Sequence, residues 1–263
     1  METYPLIKNK YTVNLYDPAE YVNILKATVQ VQESMESDPK IGRFVSFNPT
    51  FVAVGLLDAD APAEVPAAFK PFMDLKSFMS AAVRWTIGTV KSLVEAIQYN
   101  APSARRTQST TTTKVSLDLY IKSHELYLKT INSSIGNVFC TIQPLSSSAV
   151  QKGEEKGGNI LGIEKVAQDW YTAAGSWQGP SLDEQAIRDR DSWQIDVEEL
   201  AKASGDHLGF VFMSGTSPTQ TVLKRYGARN MRRMKEVSGK YDPDKVFQVL
   251  QNGGNLLRHL EGV

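Results

Sequence analysis

The stretch GRFVSFNPTFVAVGLLD, residues 42–58, constrains the fold more than any other part of the chain. Two short β-prone runs are separated by Asn48-Pro49, where Asn favours a turn and Pro cannot continue a ladder. A tight hairpin predicts that Val45, Phe47, Val52 and Val54 share one face, because side chains alternate along a strand. Phe44, Ser46, Phe51 and Ala53 then share the other. An antiparallel pair with one apolar and one mixed face belongs in a sheet that is packed on one side only.

The rest of the chain extends that sheet. In KYTVNLY, Tyr11, Val13 and Leu15 alternate with Lys10, Thr12 and Asn14, and in NVFCTIQPL, Val138, Cys140 and Ile142 alternate with Phe139, Thr141 and Gln143. RRTQSTTTTKV and the second half of ILGIEKVAQDWYTAAGSW are β-prone, and HLGFVFMSG reads as a last strand. Helices are expected between them. The first opens at Asp17-Pro18 with Glu20 at the capping-box position and buries Tyr21, Ile24, Leu25 and Thr28. A second is capped by Thr89 and carries Val90, Leu93, Val94 and Ile97. A third aligns Leu117, Ile121, His124, Leu128 and Ile131, and a long one opens at the capping box Ser181–Glu184 and runs toward Gly205. APAEVPAAFKPF and SSSAVQKGEEKGGN read as loops. The order β-α-β-β-α-β-α-β-β-α-β-α suggests an α+β fold, a single largely antiparallel sheet with helices on one face. At 263 residues one domain is expected, 1–263, with 221–263 as a helical C-terminal tail.

Composition excludes several functions. Lys plus Arg and Asp plus Glu both number 29, so no broad electrostatic footprint for nucleic acid or anionic membrane is expected, and the basic run Arg229–Lys235 reads as a solvated helix face. Cys140 is the single cysteine, which rules out an intrachain disulfide and leaves no zinc-ligand spacing. No segment approaches the roughly 20 apolar residues of a membrane span, and the N-terminus lacks a signal-peptide core, so a cytoplasmic protein is expected. His124, His207 and His259 each read as structural, Glu154 and Glu155 as solvated, and Cys140 as inert packing on the helix side.

Four stretches in order carry a resemblance: GGNILGI at Gly157–Ile163, SW…SLDE at Ser176–Glu184, FVFMSGTSPTQ at Phe210–Gln220, and the closing YG…N…KYDPD.VFQ…GG. Together they resemble the berberine-bridge-enzyme-like FAD-linked oxidases of fungal and plant secondary metabolism. The resemblance covers the substrate half of that family only. METYPL is similar to the strand that leads into the substrate domain, so the flavin-holding part is expected to be missing and no cofactor is expected. Where the family commonly has Asn-Tyr beside the flavin, this chain has Ser214-Gly215.

With no nucleophile triad, metal set or nucleotide cradle visible, the remaining chemistry is what a shaped pocket does alone. Orientation of a reactive substrate can lower a barrier by about 7–11 kcal/mol, and donors on a polarised carbonyl add to that. The expected site is the helix-free sheet face: Thr12, Asn14, Phe44, Ser46, Phe51 and Phe139 as substrate-binding residues, with Thr141 and Gln143 as catalytic donors. Trp170, Tyr171 and Trp177 fit a core or a platform stacking a flat substrate; Tyr171 joins the binding set on the second reading. The resulting expectation is a cofactor-independent cyclase, of which Diels-Alder and hetero-Diels-Alder catalysts are examples, acting on a polycyclic, polyketide or terpenoid-like molecule. The alternatives are a non-catalytic domain that binds a ligand or partner, and an oxidase fragment that needs a separate flavin domain. The surface that the family's flavin domain covers is expected to be buried again, by a homodimer, since two-fold pairing is the commonest oligomeric symmetry, or by the C-terminal tail through Phe247, Leu250, Leu256, Leu257 and Leu260.

Overall fold

The computed structural model describes residues 6–97, 103–133 and 136–260. Most of METYPL and the side chain of Ile131 lie outside the described residues. Seven strands form one sheet: β1 (Asn9–Tyr16), β2 (Ile41–Phe47), β3 (Val52–Asp58), β4 (Phe78–Gly88), β5 (Arg105–Lys114), β6 (Asn137–Leu145) and β7 (Gln168–Trp177). They lie in the order β4-β1-β3-β2-β6-β7-β5, and every neighbouring pair is antiparallel. The β2–β3 hairpin closes as its sequence requires, with Val45 opposite Val54, Phe47 opposite Val52, and Asn48 N donating to Phe51 O at 2.9 Å.

Helices α1 (Tyr21–Ser37), α2 (Lys70–Met73), α4 (Leu117–Ser133) and α6 (Asp183–Ser204) cover one face of this sheet. Ile24, Leu25 and Val31 of α1, Tyr120 and Tyr127 of α4, and Trp193 and Val197 of α6 meet Val45, Phe47, Val54, Cys140, Ile142 and Tyr171 in one core. Each large apolar side chain removed from water there contributes about 1.5–3 kcal/mol. Asp17 caps the first turn by accepting from Ala19 N at 2.9 Å. Thr89 and Ser92 cap α3 (Val90–Ile97) reciprocally, each side-chain oxygen accepting from the other's backbone N–H at 3.1 and 2.8 Å. Gly205 ends α6 in the left-handed conformation at φ 76°, which glycine adopts without the Cβ penalty.

Several expectations are corrected. Strand β4 has no counterpart in the sequence reading: it is an edge strand with register shifts against β1, and none of its residues is fully buried. The stretch APAEVPAAFKPF holds a 3-10 turn at Ala67–Phe69 and α2, which bury Phe69 and Phe72 completely. The segment read as a glycine-rich loop contains α5 (Ser147–Glu155), capped by Ser146 accepting from Ala149 N at 3.2 Å. The long helix opens without the Ser181–Glu184 capping box; the Asp183 carboxylate instead pairs with Arg105 and accepts from Trp177 Nε1 at 2.9 Å.

HLGFVFMSG is not a strand. It leaves the sheet after a bridge between Thr113 and His207, and Phe210 and Val211 pack into a second cluster with Val222, Leu223 and Tyr226. This cluster lies against Trp170 on the face opposite the helices. The tail follows as α7 (Ala228–Tyr241) and α8 (Val246–Val249). Its Leu257 and Leu260 pack against the second cluster, whereas Tyr241, Phe247 and Leu250 are all more than 70% exposed. The Val90, Val94 and Ile97 side chains of α3 are also exposed. Among the described residues no helix is long and apolar enough to cross a membrane.

Candidate functional site on the open face of the sheet

The register decides which side chains leave the helix-free face. Ser46 of β2 pairs with Thr141 of β6, Thr141 with Thr172 of β7, and Thr172 with Thr110 of β5. Four hydroxyls thus stand in a row across four strands, with Thr141 Oγ1 donating to Ser46 Oγ at 3.2 Å and Thr172 Oγ1 to Thr110 Oγ1 at 3.2 Å. Phe139 and Gln143 flank Thr141 on the same face, and Phe44 and Phe51 flank Ser46 and the hairpin end. All six expected residues of β2, β6 and the hairpin, namely Phe44, Ser46, Phe51, Phe139, Thr141 and Gln143, are half-buried. Gly55 makes the floor flat: a Cβ there would lie 2.0 Å from Phe44 Cε1, so any larger residue has to displace that ring.

One wall is built by the segment that was expected to be a strand. Phe212 stacks on Trp170 with centroids 4.3 Å apart at 19°, and Gln108 Nε2 donates to Ser214 O at 2.7 Å. The turn Met213–Gly215 sits over the Thr110–Thr172 end of the hydroxyl row, leaving the Ser46–Thr141 end half-buried. Sequence reasoning named Trp170 without placing it and missed Phe212 and Gln108. Their signal was the aromatic alternation of Phe210 and Phe212, which was assigned to a strand.

Three expected site residues are elsewhere. Thr12 and Asn14 point to the helix side, because they pair with Leu56 and Val54, which face the main core. Thr12 Oγ1 donates to Val83 O at 2.7 Å, and Asn14 Nδ2 reaches Tyr16 Oη at 3.4 Å, so both polar groups are satisfied inside. Tyr11, Val13 and Leu15 take the open face instead. Both sides of β1 are buried, so alternation fixed its period but not its direction. Tyr171 pairs with Ile142 and lies between Tyr120 and Trp193, ring centroids 6.4 and 5.4 Å away, fully inside the helix-side core. Its burial pushes the phenol well above its ordinary range.

The groups read as structural are so placed. Cys140 is buried on the helix side, and burial pushes its thiol well up. His207 Nε2 lies 3.6 Å from Glu198, and burial lowers its pKa against the pull of that carboxylate. Glu155 is paired with Lys152 at the surface. Open-face positions of β2, β6 and β7 carry no acid, base or thiol: they are Gly42, Phe44 and Ser46, then Phe139, Thr141 and Gln143, then Trp170, Thr172 and Ala174. The Gln143 amide has no hydrogen-bond partner among the described residues and is free to donate. Such a surface can hold a flat apolar molecule and offer it neutral donors.

Solved structures share this fold. Xylooligosaccharide oxidase from Myceliophthora thermophila C1 superposes with a TM-score of 0.67 at 15% identity, over 96% of this chain and 55% of that one. BBE-like 1 of Physcomitrella patens does so with 0.64 at 13%, over 95% and 54%. The fold is that of the berberine-bridge-like substrate domain. No family model matches the chain. In sequence, an FAD-dependent monooxygenase of Arthrobotrys oligospora is 28% identical over 251 residues, 94% of this chain and 48% of its own length. The bifunctional solanapyrone synthase of Alternaria solani is 29% identical over 198 residues, 73% of this chain and 38% of its own. The chain therefore spans half or less of the length of these curated relatives.

These relatives bring FAD into consideration, and the described residues do not fit it by themselves. One common cradle for a dinucleotide is a glycine-rich turn between a strand and a helix N-terminus. Gly157-Gly158 instead follows α5 and leads through turns toward β7. At Ser214-Gly215 no aromatic ring or amide faces outward, and a Cβ on Gly215 would meet Thr172 Oγ1 at 3.2 Å and Phe212 Cδ1 at 3.3 Å.

Proposed function

We propose that the chain is a cofactor-independent cyclase of fungal secondary metabolism, working on the open sheet face by orientation and hydrogen bonding. The observation that carries this reading is the composition of that face: aromatic walls, a hydroxyl pair and a free amide, with no acid, base or thiol among them. Phe44, Phe51 and Phe139 press a reactive polyene or quinone-methide-like substrate into one near-attack conformer, which is where most of the barrier lowering arises. Gln143 and the Ser46–Thr141 pair polarise a carbonyl of the substrate as charge builds on its oxygen. A pericyclic ring closure of Diels-Alder or hetero-Diels-Alder type asks for nothing more than this. The similarity to the bifunctional solanapyrone synthase supports a synthase rather than an oxidase fragment.

The test is turnover of such a substrate by purified protein whose visible spectrum is checked for flavin. Gln143→Leu or Thr141→Val is expected to lower kcat by roughly tenfold or more, the scale of one lost oxyanion-type donor. Phe51→Ala or Phe139→Ala slows turnover through a looser bound conformer, and none of these variants is expected to be wholly inactive. A flavin absorption band that survives gel filtration overturns the cofactor-free reading. So does a single substitution that abolishes all rate enhancement with fold and binding intact.

A second reading is favoured by two observations: the relative at about twice this length is named an FAD-dependent monooxygenase, and apolar side chains stand exposed on α3, α7 and α8. On that reading the chain is the substrate-binding half of an oxidase or a non-catalytic binding domain, and a partner covers those side chains. On the first reading we propose a homodimer formed through Tyr241, Phe247 and Leu250, large apolar side chains left exposed at the end of α7 and around α8, since two-fold pairing is the commonest oligomeric symmetry. Light scattering is expected to give twice the chain mass, and Phe247→Glu with Leu250→Glu to give the monomer. A wild-type monomer rejects the dimer.

A further inference from the structure

Helix α7 and the loop before β7 enclose a cleft that the open face does not use. An apolar trough of about 620 Å³ is lined by Leu161, Leu223, Met234, Val237 and Leu257. It adjoins a polar recess of about 420 Å³ that contains Arg229, Arg232 and Arg233 together with Glu236. Gly158, Asn159 and Arg233 line both, so the two form one continuous site. None of Phe44, Ser46, Phe51, Phe139, Thr141 or Gln143 lines either part.

Two features point to a ligand. The trough's volume is in the range of about 300–1,000 Å³ typical of small-molecule sites, and its lining surface is mostly apolar, with Asn159, Ser238, Gln248 and Asn255 among the polar residues on it. The recess has three arginines against one carboxylate, and no ion pair or hydrogen bond occupies any of the three among the described residues. Guanidinium groups present a planar fork that matches a carboxylate and holds it with charge-assisted hydrogen bonds. On the other rim Gly157 and Gly158 have φ of 104° and 82° with open space where a Cβ would stand, so the backbone leaves the recess unobstructed. A ligand that satisfies both halves is apolar along its length and anionic at one end.

We propose that this cleft binds an amphipathic organic acid, with its hydrocarbon body against Leu223, Met234 and Leu257 and its carboxylate on Arg229, Arg232 and Arg233. The basic run Arg229–Lys235 is then a recognition element rather than a solvated face. Val237 also faces this trough, which gives part of the exposed apolar surface of α7 an occupant other than protein.

Decanoate is the probe. Calorimetric titration of the full chain in low salt is expected to show saturable binding at one equivalent, with decan-1-ol bound about tenfold more weakly because it lacks the charge. Arg229→Gln with Arg233→Gln, both at exposed positions, is expected to weaken decanoate about tenfold and leave decanol unchanged. Met234→Trp fills the trough and is expected to remove both. Phe51→Ala, on the open face, leaves both titrations as in wild type and thereby separates this cleft from the proposed cyclase site. Absence of saturable decanoate binding, equal affinity for acid and alcohol, or binding that is lost in Phe51→Ala and kept in Met234→Trp overturns the proposal. A circular-dichroism melt of each variant excludes misfolding as the cause.

Discussion

An Asp169→Ala variant is expected to lose about 3–5 kcal/mol of folding stability, the usual cost of removing one partner of a buried ion pair. Asp169 and Arg43 are completely buried, and Arg43 Nη2 lies 3.0 Å from both carboxylate oxygens. The Tyr120 hydroxyl donates to Asp169 Oδ2 at 2.6 Å, and Arg43 also reaches Gln32 Oε1 at 3.2 Å. Burial pushes the Asp169 carboxyl up, against the pull of Arg43 and the Tyr120 hydroxyl, and it pushes the Tyr120 phenol well up too. With the carboxylate gone, a guanidinium stays in the core with one side-chain oxygen and one backbone carbonyl as partners. The double variant Arg43→Met with Asp169→Leu removes both charges and is expected to recover most of the loss, since a buried pair and an apolar replacement are close in free energy. Urea denaturation at neutral pH measures both. A single variant within about 1 kcal/mol of wild type, or a double variant no better than the single, contradicts the account.

The second large effect is in acid. His124 is buried, stacked on Tyr21 at 4.4 Å and against Phe47 and Tyr127, and neither ring nitrogen has a hydrogen-bond partner among the described residues. Burial lowers its pKa from 6.5 to about 4. In the unfolded chain the imidazole takes up a proton near pH 6.5, whereas in the folded protein it stays neutral until about pH 4. The unfolded state therefore binds more protons across that window, so stability is fully present above about pH 6.5 and falls as the pH is lowered toward 4. At about 1.4 kcal/mol per pH unit the loss comes to about 3 kcal/mol. His207, whose pKa is lowered mainly by burial, adds to the same slope, and the lowered carboxylates Asp183 and Glu198 lose their pairing only as the pH falls through and below the usual carboxylate range. His124→Phe isolates the first contribution: it keeps the stacked ring and is expected to flatten most of the slope between pH 6.5 and 4 with no loss at pH 7.5. Chemical denaturation at a series of pH values reads it directly, and a wild-type slope in the variant refutes the assignment.

The sheet was legible wherever one side of a strand meets the core and the other does not. In the β2–β3 hairpin and in β6 the apolar set, Val45, Phe47, Val52, Val54, Cys140 and Ile142, is drawn to the helices by burial, and alternation then forces Phe44, Ser46, Phe51, Phe139, Thr141 and Gln143 to the other side. Helix caps were legible for a similar reason, because Asp17 and Thr89 satisfy backbone N–H groups only a few residues away.

What the tertiary structure alone decided follows from contacts distant in sequence. Strand β1 is buried on both sides, so only its pairing with β3 could say that Thr12 and Asn14 turn inward. Tyr171 could have faced either way until Ile142 and Trp193 fixed it in the core. Phe210 and Phe212 alternate as a strand would, yet their partners are Trp170 and Tyr226 rather than a ladder, so the segment became the wall of the site. Arg43 and Asp169, 126 residues apart, read as ordinary charges until folding put them in the same dry space. Local periodicity specifies which side chains of a strand stay together; which way that set points, and what it meets, is set by the free energy of the whole packed layer.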